Sequence, residues 1–561
     1  MQNFQILTRR AFLDRSFKTS LAVALSTLVD IPFVMKRALA EGSIGLNGKK
    51  LLFIWLRGAN DALNSVIPIL DDTYTAIRPN IGIAKDMATK YSAVDKADFP
   101  IGDAANIYAY QNAIRLGNGF AALHPMLKFL APVYNAGDLA LIHRTAYPNQ
   151  SRSHFDSQNY WENGNPNDNL SKDGIFYRAM IESGLANNSP LTGVSIQSSL
   201  PLILRGSAAA MTNLTDPTRY DLLGVPTPSG DAKAGNAISS ANPYPFPAKK
   251  NRELLQLQYQ NMASTLKLFA GIDFAEDPSG TGRYGNYYRD DEITENDTAW
   301  ANGTSNANPA DPHRGYYLFP TTNGKNGGWQ RPDGTKVLNK YMINPGHQSF
   351  FANLKAAAMI LNKTDAIIAG TEMGGFDTHK VENGPGGHPD LQKLIGWSIY
   401  ALRKYFTFYK DKVDWNNVIV VTLSEFGRTA VENSDNGTDH AEAGVMFVAG
   451  GPVKGYNKGN LSGVFGCSPG EALPWIPGPR TTNLATCGTM FAANTGIVAG
   501  YTRRSCDYRS VLGEILRKHL GATQNQLNRI IPGYADPNEH LLAGGLSGID
   551  GVQIRGEVGI L

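Results

Sequence analysis

The sequence predicts an α/β fold with a doubly wound, mostly parallel sheet. Several short, continuous apolar runs are typical of strands that are buried on both faces. Amphipathic helical patterns lie between many of these runs, and such alternation indicates parallel strands joined by helices. A long polar stretch, about residues 206–344, interrupts the alternation and is rich in Asn, Gly, Pro, Asp and Tyr. We interpret this stretch as an insertion within one domain and not as a linker between domains.

The individual elements follow from local pattern. Apolar runs of four to six residues predict the strands, and periodic apolar positions predict the helices. About 20 residues separate the last two predicted strands, which leaves no room for a crossover helix, so we expect the final strand to be antiparallel. The predicted strands cover residues 51–56, 139–142, 366–369, 418–423 and 445–448, and the predicted helices cover 125–135, 252–269, 349–361, 391–406 and 508–520.

Composition excludes several classes of protein. The chain has 561 residues, of which 42% are hydrophobic and 18% are charged, enough apolar material for a large core and too much for wholesale disorder. The first 40 residues hold six Lys or Arg and two Asp, and without them 46 basic and 47 acidic residues remain. A near-neutral remainder argues against nucleic acid or an anionic membrane as a partner.

Residues 1–40 have the pattern of a twin-arginine export signal. Arg9-Arg10 precedes a weakly apolar stretch, and a small-x-small cleavage signature follows at residues 38–40. Asp30 and Pro32 interrupt the apolar stretch, which argues against a stable membrane anchor. We therefore expect the Tat translocon as a partner during export, a periplasmic or secreted protein, and one domain over residues 41–561.

The three cysteines, Cys467, Cys487 and Cys506, show no C-x-x-C spacing. This argues against a zinc or iron–sulfur site built from cysteine. In an oxidising compartment two of the three could pair, and the sequence leaves open which two.

Polar residues that suit catalysis follow the predicted strands. Ligands of open α/β sheets bind at the carboxyl ends of the strands, where these segments are expected to meet. Taken singly, each residue is more often a turn or cap residue, and Ser153-x-x-Asp156 also has the pattern of a helix N-cap. The convergence of five segments favours a functional site, and the segments are Arg57–Asp61, Ser151–Asp156, Gly375–His379, Ser424–Thr429 and Gly437–His440.

At these motifs, together with Leu123-His124-Pro125, the chain resembles a bacterial family of Tat-exported proteins known as a domain of unknown function. By fold that family is placed in the alkaline phosphatase and sulfatase-like superfamily. The resemblance implies that Asp61 is the first metal-binding Asp and that Ser153 occupies the nucleophile position. It further implies that Asp377 and His379 form an Asp/His couple and that His440 is a distant His ligand. The superfamily's Asp-His pair is replaced here by Glu425-Phe426, so one ligand is lost and one metal centre is expected rather than two.

These residues suggest a metal-assisted ester hydrolysis. Asp61, Asp377, His379, Glu425 and His440 suit a divalent ion such as zinc, manganese, iron or calcium. Ser153 at a helix N-terminus would be the nucleophile, and Arg57, Arg152 or Arg428 would hold anionic oxygens. We expect an exported hydrolase of a small anionic phosphate or sulfate ester. The alternative, favoured by the ligand lost at Phe426, is a catalytically inactive sulfatase-like protein that serves binding or assembly at the cell surface.

Overall fold

The computed structural model describes residues 44–83 except 46, 113–184, 192–215 except 208 and 210, 345–459, 462–492 and 500–561. It also describes short pieces at 269, 272–274, 287–288, 316–319 and 497–498. The expected export signal, most of the expected insertion and all but the last residue of the helix expected at 252–269 lie outside these residues. Within the described part of the chain, no helix is long and apolar enough to cross a bilayer.

A nine-stranded sheet forms the centre of the described chain. In chain order the strands are β1 Lys50–Leu56, β2 Val66–Ile67, β3 Ile114–Arg115, β4 Ala122–Leu123, β5 Leu139–Ala146, β6 Gly193–Ile196, β7 Thr212–Leu214, β8 Tyr287–Tyr288, β9 Tyr316–Tyr317, β10 Ile368–Met373, β11 Val418–Leu423, β12 Gly444–Ala449, β13 Val464–Phe465, β14 Ile497–Val498, β15 Tyr501–Thr502, β16 Cys506–Asp507, β17 Ala543–Leu546 and β18 Gln553–Gly556. The order of strands in the large sheet is β13-β5-β12-β11-β1-β10-β6-β7, with β16 also paired to β5. The α/β fold with a mostly parallel sheet is thereby confirmed.

Strand β12 runs against the direction of its neighbours, as the short connection from β11 predicts. It pairs antiparallel with β11, where Val420 lies opposite Ala449, and antiparallel with β5 on its other side. The other pairings in this sheet are parallel. The loop between β11 and β12 therefore lies at the edge where β5, β11, β1 and β10 end.

Helices cover both faces of the sheet. Alternate residues of β1 enter different cores: Leu52 packs in a core that includes Leu394, and Phe53 packs in a second core that includes Phe176. The helices are α1 Ala62–Ser65, α2 Asp72–Ile77, α3 Ala131–Asn135, α4 His154–Asn163, α5 Ile175–Glu182, α6 Gln348–Lys363, α7 His388–Phe408, α8 Tyr508–Glu514 and α9 Gln524–Ile530, with 3₁₀ turns at Pro125–Leu130, Leu202–Leu204, Pro345–His347 and Trp415–Asn417 and a π-helical turn at Ile515–His519.

The main sheet extends into the stretch that we interpret as an insertion. Strand β7 begins at Thr212 and pairs in parallel with β6 at the edge of the sheet. Leu318 is buried in one of the two cores, and its carbonyl accepts a hydrogen bond of 2.7 Å from the indole of Trp397. Strand β7 and Leu318 are therefore packed against the domain. The three cysteines are free thiols, and Cys467 and Cys506 are buried.

The loops after β1 and β10 touch at a glycine. Gly58 has a φ of +113°, and a Cβ on it would lie 2.5 Å from the backbone nitrogen of Asp377. The nitrogen of Phe376 donates to the carbonyl of Arg57 at 3.1 Å, which fixes the two loops to each other. Only glycine satisfies both the positive φ and the close approach.

Gly58→Ala is expected to lower the free energy of unfolding by about 2 kcal/mol more than a control, because the new methyl group meets backbone that cannot move aside. The control is Gly119→Ala, whose φ is also positive, at +85°, but whose Cβ meets nothing within 4 Å. Urea unfolding of both variants measures the difference, and equal losses would mean that the close approach carries no energy.

Candidate functional site

Five neighbouring strands deliver the candidate residues to one edge of the sheet. In the order β5-β12-β11-β1-β10, these strands either end there or, for β12, begin there. Helix α4 follows β5 and begins at His154, with Ser153 as its N-cap, as the capping pattern predicts. His440 precedes β12, Glu425 follows β11 and Asp377 follows β10.

Arg428 joins three of these loops. Its side chain is fully buried, and its Nε donates to the carbonyl of Ala59 at 3.0 Å while its Nη1 donates to that of Thr438 at 3.1 Å. Its Nη2 donates to the carbonyls of Gly58 and Phe376 and to Asp377 Oδ1. Every nitrogen of this guanidinium therefore donates to the protein, and the arginine fixes the relative positions of the loops.

The side chains of His154 and His379 each lie close to Asp377 and His440. His440 Nε2 lies 3.1 Å from Asp377 Oδ1. Two further nitrogens each lie close to both of these atoms. His154 Nε2 lies 3.1 Å from His440 Nε2 and 3.5 Å from Asp377 Oδ1. His379 Nε2 lies 2.9 Å from His440 Nε2 and 3.1 Å from Asp377 Oδ1.

The other nitrogen of each histidine faces an acceptor. His440 Nδ1 lies 2.9 Å from the backbone carbonyl of Arg152. His154 Nδ1 lies 2.8 Å from Glu425 Oε1, and His379 Nδ1 lies 2.9 Å from Asp439 Oδ1. A carbonyl or carboxylate oxygen can only accept, so we assign the proton of each neutral ring to Nδ1. The three Nε2 atoms then present lone pairs to one another and to a carboxylate oxygen.

Such a cluster of acceptors needs a cation. Lone pairs at 2.9–3.5 Å repel unless a proton or a metal ion lies between them. Neighbouring ligand atoms around a transition ion are separated by roughly 3 Å when the metal–ligand distances are about 2.1 Å. The atoms of His154, Asp377 and His440 all lie within 4.8 Å of one another, so these three residues could hold a metal ion.

The pKa shifts follow from the same arrangement. Burial opposes ionisation of Asp377, but its hydrogen bond and ion pair with Arg428 prevail and lower its pKa to about 2. Burial lowers the pKa of His440, which favours its neutral form. The hydrogen bond to Glu425 raises the pKa of His154, because the carboxylate favours a positive ring. The site thus combines an ionised carboxylate with one ring that favours its neutral form and one that favours a positive charge.

Glu425 and Phe426 both contact histidines of the site. Glu425 is fully buried, and its Oε1 also accepts from the backbone nitrogen of Gly58 at 2.8 Å and from Gln158 at 3.0 Å. Burial raises the pKa of this carboxyl, but the hydrogen bonds from His154 and Gln158 outweigh burial and lower it. The ring of Phe426 lies 4.8 Å from the rings of both His154 and His440. Glu425 therefore orients a histidine, and Phe426 forms an apolar wall.

Asp61 lies in a separate buried network. It is the N-cap of α1, accepting from the backbone of Leu63 at 3.0 Å, and it forms a buried ion pair of 2.6 Å with Arg78. Burial opposes its ionisation, but Arg78 lowers its pKa to about 2. Burial and the charge of Asp61 raise the pKa of neighbouring Glu382. These contacts give Asp61 a structural role, and among the described residues no hydrogen bond or ion pair joins it to His154, His379 or His440.

The three residues expected to be catalytic each contact other parts of the protein. Arg428 is held by protein acceptors as described above. Arg57 forms ion pairs of 2.9 Å with Glu162 and 3.0 Å with Glu372, and its guanidinium stacks 4.3 Å from the centre of the Trp55 ring. Ser153 is exposed, and its Oγ accepts from the backbone nitrogen of Asp156 at 3.4 Å. These contacts do not by themselves assign a catalytic role to any of the three residues.

Sequence reasoning missed the role of His154. It placed this histidine in the Ser151–Asp156 motif but assigned the chemistry there to the neighbouring Ser153. The signal was available, since His154 is the first residue of a helix that begins at the carboxyl edge of the sheet. An i,i+4 partner, Gln158, shares with it the acceptor Glu425.

Comparison with known proteins gives one match. Residues 332–463 are similar to a family described as a protein of unknown function (DUF1501). The matched segment contains Asp377, His379, Glu425, Arg428 and His440 but not His154, and the family carries no assigned activity. No curated protein and no solved structure matched the chain.

Arg428→Lys is expected to lower the free energy of unfolding by at least about 2 kcal/mol, because an ammonium group leaves several buried carbonyls without donors. Arg480→Lys is the control, since Arg480 is exposed and donates to Thr75 Oγ1 at 2.6 Å. Urea unfolding measures the stability of both variants. An Arg428→Lys variant as stable as Arg480→Lys would refute the claim that Arg428 holds the loops together.

Ser153→Ala is expected to cost about 1 kcal/mol of stability through loss of the N-cap, and Ser153→Asp is expected to retain most of it because Asp also caps helices. If Ser153 is the nucleophile, both variants lose turnover of an aryl phosphate or sulfate while they remain folded. If it is only a cap, turnover survives in both.

Proposed function

We propose that the protein is an exported hydrolase of phosphate or sulfate esters that works with one divalent metal ion. His154, Asp377 and His440 are its proposed ligands, and His379 is available as a fourth. The observation that carries the proposal is the convergence of three Nε2 lone pairs and an ionised carboxylate oxygen. The resemblance to the sulfatase-like superfamily supports the reaction class, and the arginine pair in residues 1–40 supports export.

The donor set fits a transition ion. Imidazole nitrogens suit zinc, iron and manganese, whereas calcium prefers a shell of oxygens, so we favour the first three over calcium. Metal-ligating histidines typically donate their other N–H to a carboxylate or a backbone carbonyl. All three histidines do so here, through Glu425, Asp439 and the Arg152 carbonyl. One ion held by His154, Asp377 and His440 accounts for the three ligand atoms that all lie within 4.8 Å of one another.

The residues around the proposed ligands have different roles in the reaction that we propose. A bound ion would polarise the phosphoryl or sulfuryl oxygen of the ester. Arg428 keeps Asp377 ionised and in place, and Glu425 keeps the Nε2 of His154 directed at the site. Among the described residues, no hydrogen bond joins Ser153 Oγ to a base, so we propose that water attacks the ester rather than this hydroxyl.

A second candidate function is a metal-binding protein without catalytic activity. The contacts of two arginines favour this second function, because the guanidinium groups of Arg57 and Arg428 both donate to acceptors within the protein. A phosphate or sulfate ester then has fewer guanidinium groups to receive its oxygens. The two functions share the metal site and differ in turnover.

Elemental analysis of protein expressed with zinc, manganese and iron is expected to find about one ion per chain. His154→Ala and His440→Ala are expected to lose it, and Glu425→Gln is expected to weaken binding by about 10- to 100-fold by loosening His154. His540→Ala, outside the site, is the control and is expected to keep the ion. Wild-type turnover of 4-nitrophenyl phosphate or sulfate should disappear with a chelator and return with the ion.

The outcomes separate the candidates. A folded, metal-free wild-type protein would refute the metal site. One bound ion without turnover of either ester would refute the hydrolase and support the non-catalytic function. Loss of the ion in His540→Ala as well would show that the variants act through misfolding and not through ligation.

A further inference from the structure

We propose that Arg152 binds the anionic group of the substrate and makes the site selective for negatively charged esters. This inference rests on the proposed function. It assigns the specificity of that site to one of the three arginines that the sequence offers for holding anionic oxygens.

The position of Arg152 is fixed next to the converging ligands. Its own carbonyl accepts the hydrogen bond from His440 Nδ1 at 2.9 Å, and it lies two residues before His154. Its backbone is thus held between two of the proposed ligands, while its side chain is exposed. An exposed guanidinium two residues from a proposed ligand is open to an anionic group that enters from solvent.

Of Arg57, Arg152 and Arg428, it is Arg152 whose guanidinium keeps donors available among the described residues. Arg57 and Arg428 are occupied by carboxylates or by backbone carbonyls. Among the described residues, no carboxylate lies within ion-pair distance of Arg152, although its charge interacts with that of Glu442 at longer range. Within the described residues, its guanidinium contacts Tyr501.

Tyr501 prepares the guanidinium for binding. The carbon Cζ of Arg152 lies 4.6 Å from the centre of the Tyr501 ring, and Nη1 donates to the Tyr501 hydroxyl. Stacking on an aromatic face restricts the side chain while leaving other N–H groups open. A restricted planar fork loses less entropy when it binds two oxygens of a phosphate or sulfate group.

Calorimetry with inorganic phosphate and inorganic sulfate tests this role on the full-length, metal-loaded protein. Arg152→Ala is expected to weaken binding of at least one anion by about 10- to 100-fold, and Arg152→Lys is expected to restore part of it. Tyr501→Leu, which removes the ring and its hydroxyl, is expected to give an intermediate loss. Lys172→Ala, which removes an exposed cation from the segment after α4, is the control and is expected to bind like wild type.

Kinetics add a readout that a structural role would not move. For Arg152→Ala, KM for an anionic aryl ester is expected to rise about tenfold or more, with metal content unchanged. Unchanged anion affinity in Arg152→Ala, or an equal loss in Lys172→Ala, would overturn the proposal, as would a metal-loaded wild type that binds neither anion. A protein that binds anions through Arg152 but turns over no ester refutes the hydrolase and leaves the Arg152 assignment standing.

Discussion

The arrangement of the site depends on the buried guanidinium of Arg428. Its hydrogen bonds reach the loops after β1 and β10 and the loop that returns the chain into β12. Because four of its acceptors are backbone carbonyls, the arginine holds the loops whatever side chains they carry. The fifth, Asp377 Oδ1, is also the oxygen on which the histidines converge. One residue therefore couples the folding of the sheet edge to the geometry of the site.

The second constraint is the orientation of the rings. Glu425, Asp439 and the Arg152 carbonyl each accept at an Nδ1, so three Nε2 lone pairs are directed inward. The carboxyl of Glu425 is buried and acts only through His154 and its other donors. Burying a carboxylate for this purpose costs solvation energy that a bound cation would offset. The unfavourable grouping of acceptors is thus the feature that a metal ion would make favourable.

Much of the fold follows from sequence because strands buried on both faces leave an unambiguous apolar run, as at Val418–Leu423, whose bounds agree with those expected. The antiparallel β12 follows from connection length alone. The roles of individual side chains follow less well, because neighbours in a motif can face different ways. Ser153 and His154 are adjacent, yet one caps the helix and the other enters the site. Asp61 could not be assigned from sequence, since its partner Arg78 lies in a different segment.

X-ray diffraction from crystals of the metal-replete protein, measured at the absorption edge of the bound ion, tests the central claim most directly. The account predicts an anomalous peak about 2.0–2.2 Å from the Nε2 atoms of His154 and His440 and from an oxygen of Asp377. The Nδ1 atoms should still face Glu425 and the Arg152 carbonyl. No peak at this point, or histidine rings turned so that Nδ1 faces the centre, would contradict the claim that the lone pairs are arranged for a cation.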